Sequence, residues 1–368
     1  MVRNMQNLKL AEKSAFSLQK TEPDYILCMD AQPVVEDPII AAASSNYEIR
    51  LFTWNNLTTL GSIAGHESVV TGVKFGRRNP NLLYTSSWDN TLKCWDVRNG
   101  TDKPVQTFVG YTGKFGTFSC CDISSDDATL CVGTNAIEHT NDSFLLFWDA
   151  RNANDLLKYY EESHSDDVTR VRFHRDSTNH VASASTDGLV CVFDIAEQNE
   201  DDALLMTLNA ESAVYEMNWY TRTSKNLYCI TDINSLHIWD GVEGDDILNL
   251  KNEATDESES FVDCFYSESE DKLRLLSTRR DGNALLFDVD FDEKNISKVS
   301  SMNGGHNDLV RGLLWNSSNA SLVTGAEDSL LCLWKDAESI VDSSPKPASN
   351  LKMKTGKISS RKKKADPY

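Results

Sequence analysis

The chain has no apolar run approaching the roughly 20 residues that a membrane-spanning helix needs. Its opening, MVRNMQNLKLAEKSAF, lacks the apolar core of a secretory signal. The nine cysteines are odd in number and scattered; Cys120 and Cys121 are adjacent, and no pair has C-x-x-C spacing. Most (Cys94, Cys131, Cys191, Cys229, Cys332) fall inside apolar strand-like runs, which reads as buried reduced thiols in an intracellular protein rather than a disulfide framework. None of the seven histidines stands at H-x-x-x-H spacing, so no zinc site is expected. A phosphate-binding G-x-x-x-x-G-K-[ST] loop and a kinase-like motif set are also missing. Paired acids such as Asp126-Asp127, Asp166-Asp167 and Asp201-Asp202 are adjacent and read as turns and solvated faces. These absences exclude the common catalytic frameworks: no catalytic residue, cofactor or metal is expected.

Positive charge is scarce until the end of the chain. The formal net charge is −20, yet residues 335–368 carry nine Lys/Arg against four Asp/Glu. The acidic remainder disfavours binding to nucleic acid or anionic membrane, so any nucleic-acid contact is left to the basic tail.

What the chain does have is a repeat. The stretch LLYTSSWDNTLKCWDVR (82–98) runs apolar strand, polar turn, apolar strand, with Asp89 in the turn six residues before Trp95. The same spacing returns at Asp142/Trp148, Asp187/Phe193, Asp281/Phe287 and Asp328/Trp334. Aligning the ends of the third strands gives Phe52, Trp95, Trp148, Phe193, Trp239, Phe287 and Trp334, at intervals of 43, 53, 45, 46, 48 and 47 residues. Seven copies with no competing amphipathic helix predict an all-β fold, a single seven-bladed β-propeller of the WD-repeat kind. His66, His164 and His306 support the alignment independently, each preceding Phe75, Phe173 or Trp315 by nine residues. Copy three carries extra residues between Gly133 and Asp142, and copy five has Asp232 seven residues before its tryptophan. The acidic stretches at 197–202, 243–246 and 256–259 read as solvated loops between repeats.

A ring of blades needs its last sheet joined to its first. The chain after Trp334 is a poor outer strand, so Ser14–Lys20 is expected to supply the missing strand of blade seven. The expected organisation is a flexible segment 1–13, a propeller over 14–335 and a disordered basic tail over 336–368.

Four constellations follow. His66, Thr85, Asp89 and Trp95 in blade two, and His306, Thr324, Asp328 and Trp334 in blade seven, have the types needed for an internal hydrogen-bonded set. Blade four has His164, Ser183 and Asp187, with Phe193 in the tryptophan position. Three copies argue against a hydrolase triad, since a nucleophile is needed once. Trp88 precedes the turn Asp89 and is expected at the upper mouth of the ring; with Asp166, Asp167, Arg279, Arg280 and Asp308 it outlines a candidate partner surface. Trp95-Asp96-Val97-Arg98 and Trp148-Asp149-Ala150-Arg151 both read W-D-x-R, either a turn-shaping device or a docking rim. Arg361, Lys362, Lys363 and Lys364 form a basic cluster that suits nuclear import, the alternative being a solubilising tail.

In order along about residues 20–335, the chain resembles the family of WD repeat-containing protein 89. The stretches carrying the resemblance are KTEPDYILCMD, LKCWDVR, KPVQTFVGY, LLFWDAR, HSDDVTRVRFH, DGLVCVFDI and GGHNDLVRGLLW. The resemblance implies a propeller without an assigned molecular role. The W-D-x-R pairs are similar to the signature of WD-repeat substrate receptors that dock on the adaptor of cullin-4 ubiquitin ligases. The expectation is a monomeric, nuclear or shuttling protein-interaction scaffold. It would be either such a receptor holding a client or a subunit of a nuclear assembly in ribosome maturation or chromatin.

Overall fold

A computed structural model describes residues 5, 8–16, 24–33, 36–98, 103–110, 113–220, 225–251, 259–337 and 340. Seven four-stranded antiparallel sheets follow one another, and the inner strands of neighbouring sheets touch in a cycle that returns to its start. Blades one to six are continuous in sequence: 26–63, 70–109, 118–160, 168–209, 214–250 and 259–302. Blade seven is composite, with Val310–Asn316, Ser321–Ala326 and Leu330–Asp336 completed by Leu8–Ala15 from the start of the chain. The all-β seven-bladed expectation holds.

Strand chemistry follows position in the sheet. Second strands are buried on both faces and read as unbroken small or apolar runs, as in Ile39–Ser44 (IIAAAS) and His180–Ser185 (HVASAS). Outer strands face water on one side and alternate, as in Leu204–Asn209. The seven aligned aromatics occupy one register position: Phe52 faces Ile40, Trp95 Leu83, Trp148 Leu130, Phe193 Val181, Trp239 Leu227, Phe287 Leu275 and Trp334 Leu322. All seven are buried. Each inner strand also carries a bulge near its start, from Ile26/Cys28 in blade one to Val310/Gly312 in blade seven. An extra residue there increases local twist, which suits strands crowded around an axis. Eight of the nine cysteines are buried and none is bonded to another.

Three expectations need correction: the closing strand, the acidic loops and the end of the propeller. The closing strand is Leu8–Ala15, not Ser14–Lys20, so part of the supposed flexible 1–13 segment is sheet, and residues 17–20 lie outside the described residues. Lys9, Glu12 and Lys13 occupy the exposed or half-exposed side of an outer strand, and the bulge between Leu10 and Glu12 breaks its alternation. Phe16, fully buried, ends the strand and donates its N–H to Ser329 O at 2.7 Å. The acidic 197–202 segment is also not all loop. Glu200–Ala203 makes one helical turn, and the Glu200 carboxylate accepts from the N–H groups of Glu161, at 2.7 Å, and Glu162, at 3.1 Å. Glu259, read as part of a solvated loop, is buried and pairs with Arg279. The described chain extends the propeller to Asp336, which pairs with Leu8.

Candidate functional site

In blade two the residue types of the internal set meet. The His66 ring lies between Asp89 Oδ2, 2.8 Å from Nδ1, and Thr85 Oγ1, 2.7 Å from Nε2. A carboxylate can only accept, so Nδ1 carries the proton, Nε2 accepts from the hydroxyl, and Thr85 Oγ1 accepts from Trp95 Nε1 at 3.0 Å. Blade seven repeats this with His306, Thr324, Asp328 and Trp334 at 3.2, 2.7 and 2.8 Å. In blade four His164 reaches Asp187 at 3.1 Å and Ser183 at 2.7 Å, and Phe193 contributes no donor. Burial works against the charge on all three aspartates. Hydrogen bonds from the histidine and from backbone N–H groups outweigh it and hold each pKa below the usual range. Ser183 is fully buried and His164 nearly so, which denies this trio the access a nucleophile requires. Its work is internal. Asp281, which shares the spacing, caps its own turn instead, Oδ1 accepting from Asn283 N–H at 3.0 Å; at Asp142 the backbone oxygen accepts from Ile137 N–H.

The upper face is organised by a backbone bond repeated around the ring. Ser45, Trp88, Asn135, Thr186, Asp232 and Glu327 each donate N–H to the residue preceding or opening the inner strand, at 2.8–3.0 Å. Trp88 stands 46% exposed at this position. Asp166 and Arg280 are exposed as well. The other three predicted partners are committed to the fold. Asp167 Oδ1 accepts from Ala136 N–H at 2.7 Å, Asp308 Oδ1 from Leu309 N–H at 2.8 Å, and Arg279 Nε donates to Glu259 at 2.9 Å.

Blade one, beside Trp88, adds residues that the spacing did not single out: Tyr25, Leu27 and Tyr47, 42%, 37% and 41% exposed. Tyr47 has φ 71°, at a turn position that holds Asn90, Gly188, Asn234, Gly282 and Ser329 in other blades. Those residues tolerate or favour the left-handed region, whereas a bulky aromatic there is strained. The signal in the sequence was a tyrosine where the repeat otherwise places Asn, Gly or Ser.

On the lower rim the two W-D-x-R segments adopt one pose. Trp95 and Trp148 are buried, while Arg98 and Arg151 fold back on Asp96 and Asp149. Arg98 donates to both oxygens of Asp96 at 2.9 and 2.7 Å, and Arg151 to both of Asp149 at 2.8 and 2.6 Å. The Arg151 guanidinium pulls Asp149 down to about 2. Both arginine side chains remain open to solvent, 59% and 80% exposed. The aspartate is a general device: Asp194, Asp240 and Asp290 accept from the backbone N–H two residues on in the same way. Those turns have Ala196, Val242 and Asp292 where blades two and three have arginine. Only the arginines set the two blades apart. Gln106 Nε2 donates to Arg151 O at 3.1 Å, tying the outer strand of blade two to the blade-three turn. The predicted import cluster Arg361–Lys364 lies outside the described residues.

A further group, absent from the sequence reading, sits on the inner strands of blades four, five and six, joined by Tyr228 from the second strand of blade five. Arg170 and Arg172 both grip Glu216, at 2.9 and 3.0 Å, and Tyr228 donates its hydroxyl to Asp263 at 2.5 Å.

The family model described as "WD domain, G-beta repeat" matches residues 57–96, 156–194 and 297–335. Each match ends with the third strand of a blade that carries one of the histidine sets. The WD repeat-containing protein 89 homolog of Dictyostelium discoideum is 28% identical over 94% of this chain and 92% of its own length. WD repeat-containing protein GTS1 of Arabidopsis thaliana is 29% identical over 83% and 80%. The ribosome biogenesis protein WDR12 homolog of Arabidopsis thaliana is 27% identical over 36% of this chain and 28% of its own length.

Proposed function

We propose that this chain, a WD-repeat propeller similar along most of its length to a WD repeat-containing protein 89 homolog, is a two-faced scaffold that serves as a substrate receptor of a cullin-4-type ubiquitin ligase. The observation that carries this reading is the pair of exposed arginines, Arg98 and Arg151, set in the same bidentate pose on adjacent blades. An Arg fork held by its own Asp is pre-organised, so less side-chain entropy is lost on contact. In this reading Trp95, Asp96, Trp148 and Asp149 build the rim and the two arginines meet the ligase adaptor. The upper face holds the client through Tyr25, Tyr47 and Trp88, since exposed aromatics supply most interface energy. Strain at Tyr47 supports that assignment, because a costly conformation is retained where the side chain is presented outward.

Affinity capture of the intact protein from cells tests the rim. The adaptor is expected with the wild type and lost with the Arg98→Ala/Arg151→Ala variant; a wild type that recovers no adaptor overturns the receptor reading. A second reading, a subunit of a ribosome-maturation assembly, is favoured by the likeness to the ribosome biogenesis relative. It predicts co-sedimentation with pre-ribosomal particles that survives the double rim substitution. Either role suits a nuclear or shuttling monomer, with Arg361–Lys364 as the import signal; removal of residues 358–368 should shift the protein to the cytoplasm.

A further inference from the structure

One corner of the upper face differs from the rest of the ring. At the bulge that opens the inner strand, blades two to five carry a hydroxyl that crosses to the next blade. Thr71 donates to Phe118 O at 2.9 Å and Thr169 to Val214 O at 2.7 Å, and Ser119 and Tyr215 donate to Val168 O and Phe261 O. Blade one has Leu27 at that position, exposed and without a donor. Tyr25 and Tyr47 stand on the same blade, linked through Ser45, whose N–H donates to Tyr25 O at 2.9 Å. Trp88 joins them from blade two. Its N–H donates to Val69 O at 3.0 Å, and Cys28 Sγ, one residue on from Leu27, lies 3.9 Å from Val70 O. Four exposed apolar side chains thus gather where blades one and two adjoin.

The charges around this patch are unevenly matched. Its cations are taken: Arg50 pairs with Glu48 at 3.1 Å, Lys93 donates to Gly65 O at 2.5 Å and lies 3.7 Å from Asp89, and Arg311 of blade seven donates to Glu327 at 2.6 Å. Two carboxylates are left over. Glu67 is exposed, and its N–H is fixed on Asp89 Oδ2 at 3.0 Å, one residue from Trp88. Asp24 immediately precedes Tyr25. Neither carboxylate has a partner among the described residues. Aromatic rings with spare carboxylates beside them attract a cation twice, through the ring quadrupole and through opposite charge.

We infer that this corner of the upper face binds a basic peptide segment of the client, with an arginine or lysine side chain lying on Trp88 and its charge met by Glu67. The inference rests on the upper face being the client surface and adds the chemistry of what that surface holds.

Fluorescence anisotropy on the full chain tests it, with a labelled peptide of alternating arginine and alanine as probe and its glutamate–alanine counterpart for comparison. Saturable binding of the arginine peptide, at about 100 μM or tighter, is expected, with none of the glutamate peptide. Trp88→Ala should weaken it about fivefold and Glu67→Gln about threefold. Glu161→Gln/Glu162→Gln removes two exposed acids from the upper loop between blades three and four and should leave binding unchanged, which separates a local site from the general acidity of the chain. Thermal melts verify that the variants fold. The inference is overturned by a wild type that does not bind the arginine peptide, by binding that Trp88→Ala and Glu67→Gln leave unchanged, or by an equal loss in Glu161→Gln/Glu162→Gln. Binding of the glutamate peptide that Trp88→Ala removes would overturn the basic chemistry and keep the upper face as the client surface. Binding that emerges only after removal of residues 341–368 would make the chain's own basic tail the occupant and overturn the assignment to a partner.

Discussion

Gly65 meets the edge of the Trp95 indole: a Cβ on the glycine would stand 2.8 Å from Cη2 of that ring. Gly305 meets Trp334 still more closely. In blade four the residue before His164 is Ser163, and there the tryptophan position holds Phe193. Glycine and tryptophan, or a larger residue and phenylalanine, thus go together. The Gly of the Gly-His pair is explained by the edge of an aromatic ring rather than by backbone conformation. Gly65→Ala should therefore destabilise the protein by about 1–3 kcal/mol through overpacking. Phe193→Trp should do the same with Ser163 present and be partly rescued by Ser163→Gly. Urea midpoints for the double-mutant cycle measure the coupling, and additive effects would show that the two positions are independent.

The depressed aspartates give stability an acid limb. Asp89, Asp187 and Asp328 each have a folded pKa below the unfolded one, so their contribution is present above about pH 4 and is lost as pH falls through the folded values. Asp89→Asn should lower stability at pH 7 by about 1–3 kcal/mol, with the gap to wild type closing below about pH 3. Asp187→Asn should cost less than Asp328→Asn, because the blade-four chain ends at Ser183 without an indole behind it. Chemical denaturation at pH 7 and at pH 3 separates these outcomes.

Much of this was legible because the propeller repeats its chemistry. One aromatic per blade in one register, and histidines at fixed offsets, are visible in a linear string. What repetition cannot reveal is where blades differ on the axis. Arg170, Glu216 and Asp263 each follow the inner-strand bulge of their blades, yet the same position holds Cys28, Gly72, Cys120 and Gly312 elsewhere. Reading that column across blades would have exposed three consecutive charges. The closing strand was misplaced for a different reason: with Lys9, Glu12 and Lys13 along it and a bulge at its centre, Leu8–Ala15 has little hydrophobic period to read.

Closure makes the N-terminal strand a stability element. Removing residues 1–16 takes the partner from Leu330–Asp336 and exposes a long apolar edge, which should lower the melting temperature and promote aggregation. Phe16→Ala alone should cost about 3–5 kcal/mol, since the ring is fully buried against Phe52 at 6.4 Å. An unchanged denaturation midpoint in either variant would contradict the ring closure described above.

The rim arginines should matter little to folding. Both are exposed and each pairs with an aspartate two residues away, and such surface pairs add little. Arg98→Ala/Arg151→Ala should leave the urea midpoint unchanged, so that any loss of a binding partner reports on contact. A large drop in the midpoint would instead make the arginines part of the fold.

Asp263 should impose the opposite pH dependence from the network aspartates. Burial first, and then the charge on Glu216, raise its folded pKa to about 7, with Arg172 working the other way. Because the folded value lies above the unfolded one, the native state holds the proton more tightly. Stability is then greatest below about pH 4 for this group alone and is lost as pH rises towards 7. Combined with the acid limb, wild type should be most stable at mildly acidic pH. Asn at this position removes the charge while its amide oxygen can still accept from Tyr228 and from Cys264 N–H, now 2.5 and 2.7 Å from Oδ1. Asp263→Asn should therefore be more stable than wild type at pH 8, by roughly 2 kcal/mol, with the advantage vanishing near pH 4. Melting curves for both proteins at pH 4, 6 and 8 decide it; a difference that stays constant with pH would mean that Asp263 carries its charge in the folded protein as readily as in the unfolded chain.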